Sequence, residues 1–154
     1  MTDKNWIYMA TLGPIGHVPK APGTFGSIPG LIAGVILNFI AGSVGYLAVI
    51  AILVILTLVS IKAIAITEQS WHTHDDKRIV IDELVGQAIV VAFLPLTGLN
   101  VLLAFVGFRF FDILKPWPIS FFDQKVPGAW GTLLDDVVAG IFALGTILIV
   151  QWFI

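Results

Sequence analysis

The chain has 154 residues, of which 58% are hydrophobic and 12% charged, with a mean hydropathy of +0.99 and a formal net charge of −2. A soluble domain carries about one quarter charged residues, so this composition points to an integral membrane protein, and nothing in its charge suggests nucleic acid. Cysteine is absent, which removes disulfides, thiolate nucleophiles and thiolate metal sites together.

The N-terminal stretch MTDKNWIYMATLGPIGHVPKAPG lacks a basic region followed by a long apolar core, so no cleaved signal peptide is expected. Five apolar segments follow, over 28–41, 44–66, 84–95, 98–114 and 133–154. They are continuous and do not alternate with period two, which predicts a helical bundle over a barrel. The fold class expected is therefore all-α: a compact polytopic bundle of four to five hydrophobic helices in one domain spanning residues 1–154. Leu31–Ile61 carries no charge, and as one helix its 31 residues would reach about 46 Å against a hydrocarbon core of about 30 Å. A hairpin broken at Gly42-Ser43 and Gly45 is predicted instead. PLTGLN, 95–100, separates the third and fourth segments in the same way, and the short third segment is expected to be re-entrant or shielded by its neighbours.

Threading the segments from a cytoplasmic N-terminus places Lys4, Lys20, Lys62, Lys77, Arg78, Lys115 and Lys125 on or near one side, with Arg109 a little deeper, while the far loops carry no charge. That asymmetry fits the positive-inside rule. It also gathers the polar stretches 14–27, 67–83 and 115–132 at the cytoplasmic face, where an active site is expected.

Three clusters carry possible chemistry. HTHDDKRIVIDELVG, 72–86, holds Asp82 and Glu83 at the mouth of an apolar segment. VGFRFFDILKPWPISFFDQ, 106–124, holds Arg109, Asp112 and Lys115 at i, i+3 and i+6, spread over about 120° of a helix. GAWGTLLDDVVAG, 128–140, holds Asp135 and Asp136. Carboxylates inside a membrane cost several kcal/mol unless paired, metal-bound or wet, so Asp82, Glu83, Asp112, Asp135 and Asp136 at one level call for a cation. Hard oxygen ligands suit Mg²⁺ completed by a substrate phosphate, and Arg109 and Lys115 beside it supply the charge that phosphoryl transfer needs. PKAPGTFGS, 19–27, reads as a glycine-rich turn ahead of a helix whose amides, with the Thr24 and Ser27 hydroxyls, could hold an anion. Each cluster also has a plainer reading: an ion-pair set closing the bundle, acids favoured by a helix N-terminus, a capped turn. His17, His72 and His74 read as interfacial or solvated, and Trp71, Trp117, Trp130 and Trp152 as interface anchors or packing.

Four motifs, PGTFGS (22–27), IVIDELVGQ (79–87), FRFFDILKPWPI (108–119) and GTLLDDVVAGI (131–141), resemble the phosphatidylglycerophosphatase A family in order and spacing, across about residues 10–150. The resemblance implies a Mg²⁺-dependent lipid phosphatase of the cytoplasmic membrane that converts phosphatidylglycerophosphate to phosphatidylglycerol and inorganic phosphate, with the membrane phospholipid as its partner. It implies a compact all-α bundle around a central helix, a fold shared with soluble relatives, so not all five segments need cross. By position, Asp82, Glu83, Asp112, Asp135 and Asp136 are the matching acids and Arg109 and Lys115 the matching cations, whereas 67–78 matches only loosely. The nucleophile stays open between a metal-activated water and an aspartyl phosphate on Asp82 or Asp135. Another lipid phosphate, phosphatidate or a prenyl phosphate, would meet the same groups. From another class, a small ion or proton transporter would also carry buried charges, but nearer the midplane. A CDP-alcohol phosphotransferase would need DG and AR elements that the chain lacks, and a purely structural membrane subunit leaves the five acids without a role.

Overall fold

The computed structural model describes residues 2–153, all helical or irregular, with no strand among the described residues. Seven α-helices follow one another: α1 Asp3–Ala10, α2 Pro22–Val44, α3 Tyr46–Trp71, α4 Ile81–Ala92, α5 Gly98–Leu114, α6 Ile119–Lys125 and α7 Ala129–Phe153, with a single 3₁₀ turn at Ile15–His17. The five predicted apolar segments are α2, α3, α4, α5 and α7, and the predicted end of the last at Ile154 lies outside the described residues. The charge-free run does break into a hairpin, at Gly45 alone, whose φ of +90° suits a residue without a Cβ. α2, α3 and α7 are long and apolar enough to cross a membrane.

Three helices begin earlier than hydropathy suggests, and the shifts matter for the site. PGTFGS is not a turn ahead of a helix: Pro22 sits at the first helical position of α2, where its missing N–H costs nothing, and 22–27 form the first turns. α4 starts at Ile81, so Asp82 and Glu83 belong to its first turn. α7 starts at Ala129, which places Asp135 and Asp136 in its second turn, not at its entrance.

α4 is the central helix. It packs against α2, α3, α5 and α7, and nine of its twelve residues are buried. At about 1.5 Å per residue it reaches only about 18 Å, too short to span a bilayer core. Its end is closed by the protein instead: the Asn38 side chain donates to the Ala92 and Leu94 carbonyls at 3.1 and 2.8 Å, and Asn100, itself bonded by Gln151, donates to the Pro95 carbonyl. Irregular backbone at depth is tolerated where protein satisfies it in this way.

Small residues set how closely α4 is approached. Gly23, Gly26, Gly30 and Gly34 line the face of α2 against α4, and a Cβ at Gly30 would lie 2.7 Å from the Leu84 carbonyl oxygen and from the Gln87 Cβ. On the other side α4 meets α7 where Gly86 faces Gly140: a Cβ at Gly140 would lie 2.5 Å from the Gly86 carbonyl oxygen, and one at Gly86 would lie 2.6 Å from the Asp136 carbonyl oxygen. Backbone contact of this kind is how helices associate where burial of apolar area supplies little drive.

A carboxylate pocket at one end of the bundle

The polar stretches 14–27, 67–83 and 115–132 meet at one end of the bundle, as threading predicts. The Val80 amide donates to the Ala10 carbonyl at 2.9 Å, Gly16 packs under the Arg78 carbonyl, and Thr132 on α7 donates to Glu68 on α3 at 3.1 Å. Between them opens a pocket of about 310 Å³ whose walls come from the α3–α4 loop, α4, α5 and α7. All seven predicted acids and cations of the core motifs line it.

The structure divides the five predicted metal-ligating acids into three arrangements. Asp82 and Glu83 from α4 and Asp136 from α7 bring ligand oxygens within 4.8 Å of one another, and Asp82 and Asp136 are 6% and 4% exposed. The helix register does this: Asp82 is one turn above Gly86 and Asp136 one turn above Gly140, so the glycine crossing holds the two acids together. Asp112 instead turns to Arg109, whose Nη1 lies 2.6 Å from its Oδ2 and 4.0 Å from Glu83 Oε1. Asp135 turns to Lys115, whose Nζ donates to it and to Asp123 on α6.

Lys115 is therefore not the third member of a stripe on one helix face. It caps α5 in the left-handed conformation, φ +42°, and this swings its side chain toward α6 and α7. Burial pulls its pKa down, but Asp135 and Asp123 outweigh that and hold the ammonium above the ordinary lysine value.

Thr24 and Ser27 do not line the pocket. Ser27 is buried, donates to the Gly23 carbonyl at 2.9 Å and accepts a long 3.5 Å contact from Arg109 Nη1, so it positions Arg109 from behind. A side chain at Gly23 would occupy the Glu83 carboxylate, and this close approach accounts for the glycine-rich start of α2.

Sequence reasoning missed Asp123 and Glu68. Asp123 sits in the seven-residue α6, which is too short for hydropathy to mark. Glu68, near the end of α3, accepts from Thr132, from the Asp75 amide at 3.0 Å and from His74 Nδ1 at 2.8 Å. Loop 72–80 is thereby pinned, and its other half is braced by Arg78, which grips Asp76 through two 2.8 Å hydrogen bonds and lies 4.0 Å over Trp71. Those bonds from Arg78 hold Asp76 below the ordinary carboxylate pKa, against the opposing effect of burial.

Two carboxylate oxygens in the pocket, Glu83 Oε2 and Asp135 Oδ1, are buried without a hydrogen-bond partner, as is Arg109 Nε. Unpaired buried acceptors beside a hard-oxygen cluster fit a divalent cation or a protonated ligand, and an all-oxygen donor set fits Mg²⁺ in kind.

Fold and pocket together describe an all-α bundle with three helices apolar enough to cross a membrane and a polar site at one end. The sequence model of phosphatidylglycerophosphatase A matches residues 8–151. Phosphatidylglycerophosphatase A of Haemophilus influenzae is 40% identical over 150 residues, covering 96% of this chain and 90% of that protein. The Escherichia coli protein of the same name is 33% identical over 141 residues, covering 91% and 80%. A Bacteroides thetaiotaomicron protein, named provisionally as a phosphatidylinositol-3-phosphatase, is 34% identical over 143 residues, covering 90% and 89%. No solved structure matches significantly. The chain belongs to the phosphatidylglycerophosphatase A family and is a phosphatase.

Proposed function

We propose that this chain removes the terminal phosphate of phosphatidylglycerophosphate, with Mg²⁺ as cofactor, at the cytoplasmic face of the cytoplasmic membrane. The observation that carries the reading is the charge balance of the pocket. Six carboxylates (Asp75, Asp82, Glu83, Asp112, Asp135 and Asp136) face three cations (Lys77, Arg109 and Lys115), a formal charge of −3. A phosphomonoester dianion is repelled by such a pocket unless bound cations offset its negative charge. Asp82, Glu83 and Asp136 would hold Mg²⁺, which when bound supplies positive charge to the phosphate oxygens and acidifies water.

The chain's own groups do the rest. Arg109 meets the phosphate with a guanidinium already fixed by Asp112 and Ser27, so little freedom is lost on binding. Lys115 holds the Asp135 carboxylate in place through its hydrogen bond. The free Oδ1 of Asp135 can take the proton of a water that attacks phosphorus and return it to the phosphatidylglycerol oxygen as its bond to phosphorus breaks. The pocket lies beside the exposed apolar surface of α5, where Phe110, Ile113 and Leu114 can stay in lipid while the head group enters. The one-sided distribution of basic residues supports the cytoplasmic orientation.

The test is phosphate release by purified protein from phosphatidylglycerophosphate, phosphatidate, a prenyl phosphate and phosphatidylinositol 3-phosphate, with Mg²⁺ or with excess chelator. Preference for phosphatidylglycerophosphate with full dependence on Mg²⁺ supports the reading. Preference for another lipid overturns the substrate, and turnover in chelator overturns the metal.

A further inference from the structure

Phosphatidylglycerophosphate carries two phosphates: the terminal monoester that is hydrolysed and the diester that joins the glycerol to the lipid. Arg109 and Lys115 are already engaged by carboxylates, at Asp112 and at Asp135 with Asp123. The third cation of the pocket differs. Lys77 lies on the pocket wall, exposed, and among the described residues its ammonium makes no ion pair. From these observations we infer that Lys77 is a specificity-determining residue that binds the phosphodiester of the substrate, so that the pocket reads both phosphates of the head group. This rests on the proposed substrate and deepens it.

The loop that carries Lys77 is built to present it. Glu68 holds the Asp75 amide on one side of the lysine, and the Asp76–Arg78 pair, with Arg78 laid over Trp71, closes the other. The Ile79 amide returns to the Asp76 carbonyl at 2.8 Å, and the next amide, of Val80, is tied to Ala10. The backbone on both sides of Lys77 is thus fixed while its own side chain is unspent, so binding an anion costs side-chain freedom but no loop ordering. Asp75 and Asp76 flank it in sequence, yet Asp76 is consumed by Arg78 and Asp75 makes no ion pair with Lys77 among the described residues. A diester is a monoanion with two unbridged oxygens, and it needs one point charge, which a flexible lysine supplies; the dianionic monoester takes the acid cluster with its cation and Arg109.

Such a division predicts how the enzyme tells its substrate from phosphatidate, which has a monoester and no diester. The experiment measures kcat/KM of the full-length protein in mixed micelles for phosphatidylglycerophosphate and for phosphatidate of the same acyl chains, phosphatidate being read as a competitive inhibitor if it is not turned over. Lys77→Gln is expected to lower the preference for phosphatidylglycerophosphate over phosphatidate about tenfold, chiefly through KM, the worth of one charge-assisted contact. Lys77→Arg, which keeps the charge, is expected to restore most of it. Melting temperatures of both variants should match wild type, because the side chain is exposed and unpaired. Equal losses on the two lipids, or no loss on phosphatidylglycerophosphate, overturn the inference while leaving the proposed function standing. A wild type inert on phosphatidylglycerophosphate overturns the proposed substrate and this inference with it.

Discussion

Gly140→Ala is the sharpest test of how the fold makes the site. The added Cβ would lie 2.5 Å from the Gly86 carbonyl oxygen, whereas ordinary contact begins at 3.4 Å, so the helices must part by about 0.9 Å at the crossing. The obstacle is backbone, which cannot rotate away. One turn above it stand Asp82 and Asp136, whose oxygens, with those of Glu83, lie within 4.8 Å of one another. Opening the crossing by nearly 1 Å therefore widens the acid cluster by a comparable amount, and a misplacement of about 1 Å can cost about 10²-fold in rate. Stability moves less: overpacking costs about 1–3 kcal/mol, offset by the roughly 1 kcal/mol helix preference of alanine over glycine.

Gly145→Ala is the matched control. It lies on the same helix, and a Cβ there meets nothing within 4 Å. The assay is phosphate release across a Mg²⁺ titration, with melting temperature measured in the same detergent. Gly140→Ala should lose rate and need more Mg²⁺ for half-maximal activity, while Gly145→Ala keeps both. A folded Gly140→Ala protein with a rate within about twofold of Gly145→Ala and an unshifted Mg²⁺ requirement would refute the claim that this crossing sets the cluster.

Asp82→Asn and Asp136→Asn should each lower the rate by about two or more orders of magnitude in folded protein, since each removes a charged ligand; retention of most activity at saturating Mg²⁺ would contradict the metal assignment. Arg109→Lys keeps the charge but loses the planar fork, so the rate should fall steeply with little change in melting temperature, and near-normal turnover would remove Arg109 from phosphate binding. Single cysteines in this cysteine-free chain test topology: Thr73→Cys and Gln124→Cys should be shielded from an impermeant reagent outside intact cells and Ser43→Cys reachable, and the reverse pattern would place the pocket on the opposite face. Asp76 has a lowered folded pKa, so its contribution is present above about pH 3.8 and lost as pH falls through the lower folded value; the melting-temperature difference between wild type and Asp76→Asn should therefore shrink on acidification below that point, and a constant difference would sink the ion-pair account.

What the sequence discloses depends on whether a residue's role is local. α5 is read to its ends, Gly98 and Leu114, because Thr97 caps it through the Asn100 amide at 3.1 Å and Pro116 forbids much continuation. The starts of α2, α4 and α7 are read late, because hydropathy scores glycine, threonine and acid-bearing turns as polar although tertiary contacts bury them. α1 and α6 are missed as helices since neither is apolar enough to stand out. Which acids share the pocket is legible from motif order and threading. Which acid pairs with which cation is not: Arg109–Asp112 follows from i, i+3 spacing, but Lys115–Asp135 depends on one left-handed residue and Asp123 on a helix of seven residues. Glu68 could have been found only from its isolation, as the single carboxylate in the last turns of an otherwise apolar helix.

The pairing of Arg109 with Asp112 does not compete with a role in binding phosphate. A guanidinium has five donors, and here Nη1 serves Asp112 and Ser27 while Nε has no partner. Held by a neighbour on its own helix, the group keeps its charge and direction when no phosphate is present, at the cost of burying a pair that apolar side chains of similar volume could replace without loss of stability. The same holds for Lys115 between Asp135 and Asp123. A bundle selected for stability alone would have no reason to keep two such pairs within one pocket and leave Glu83 Oε2 and Asp135 Oδ1 without partners between them. The unsatisfied oxygens and the net negative charge are deficits of the protein by itself, and divalent cations bound at the acid cluster would offset both.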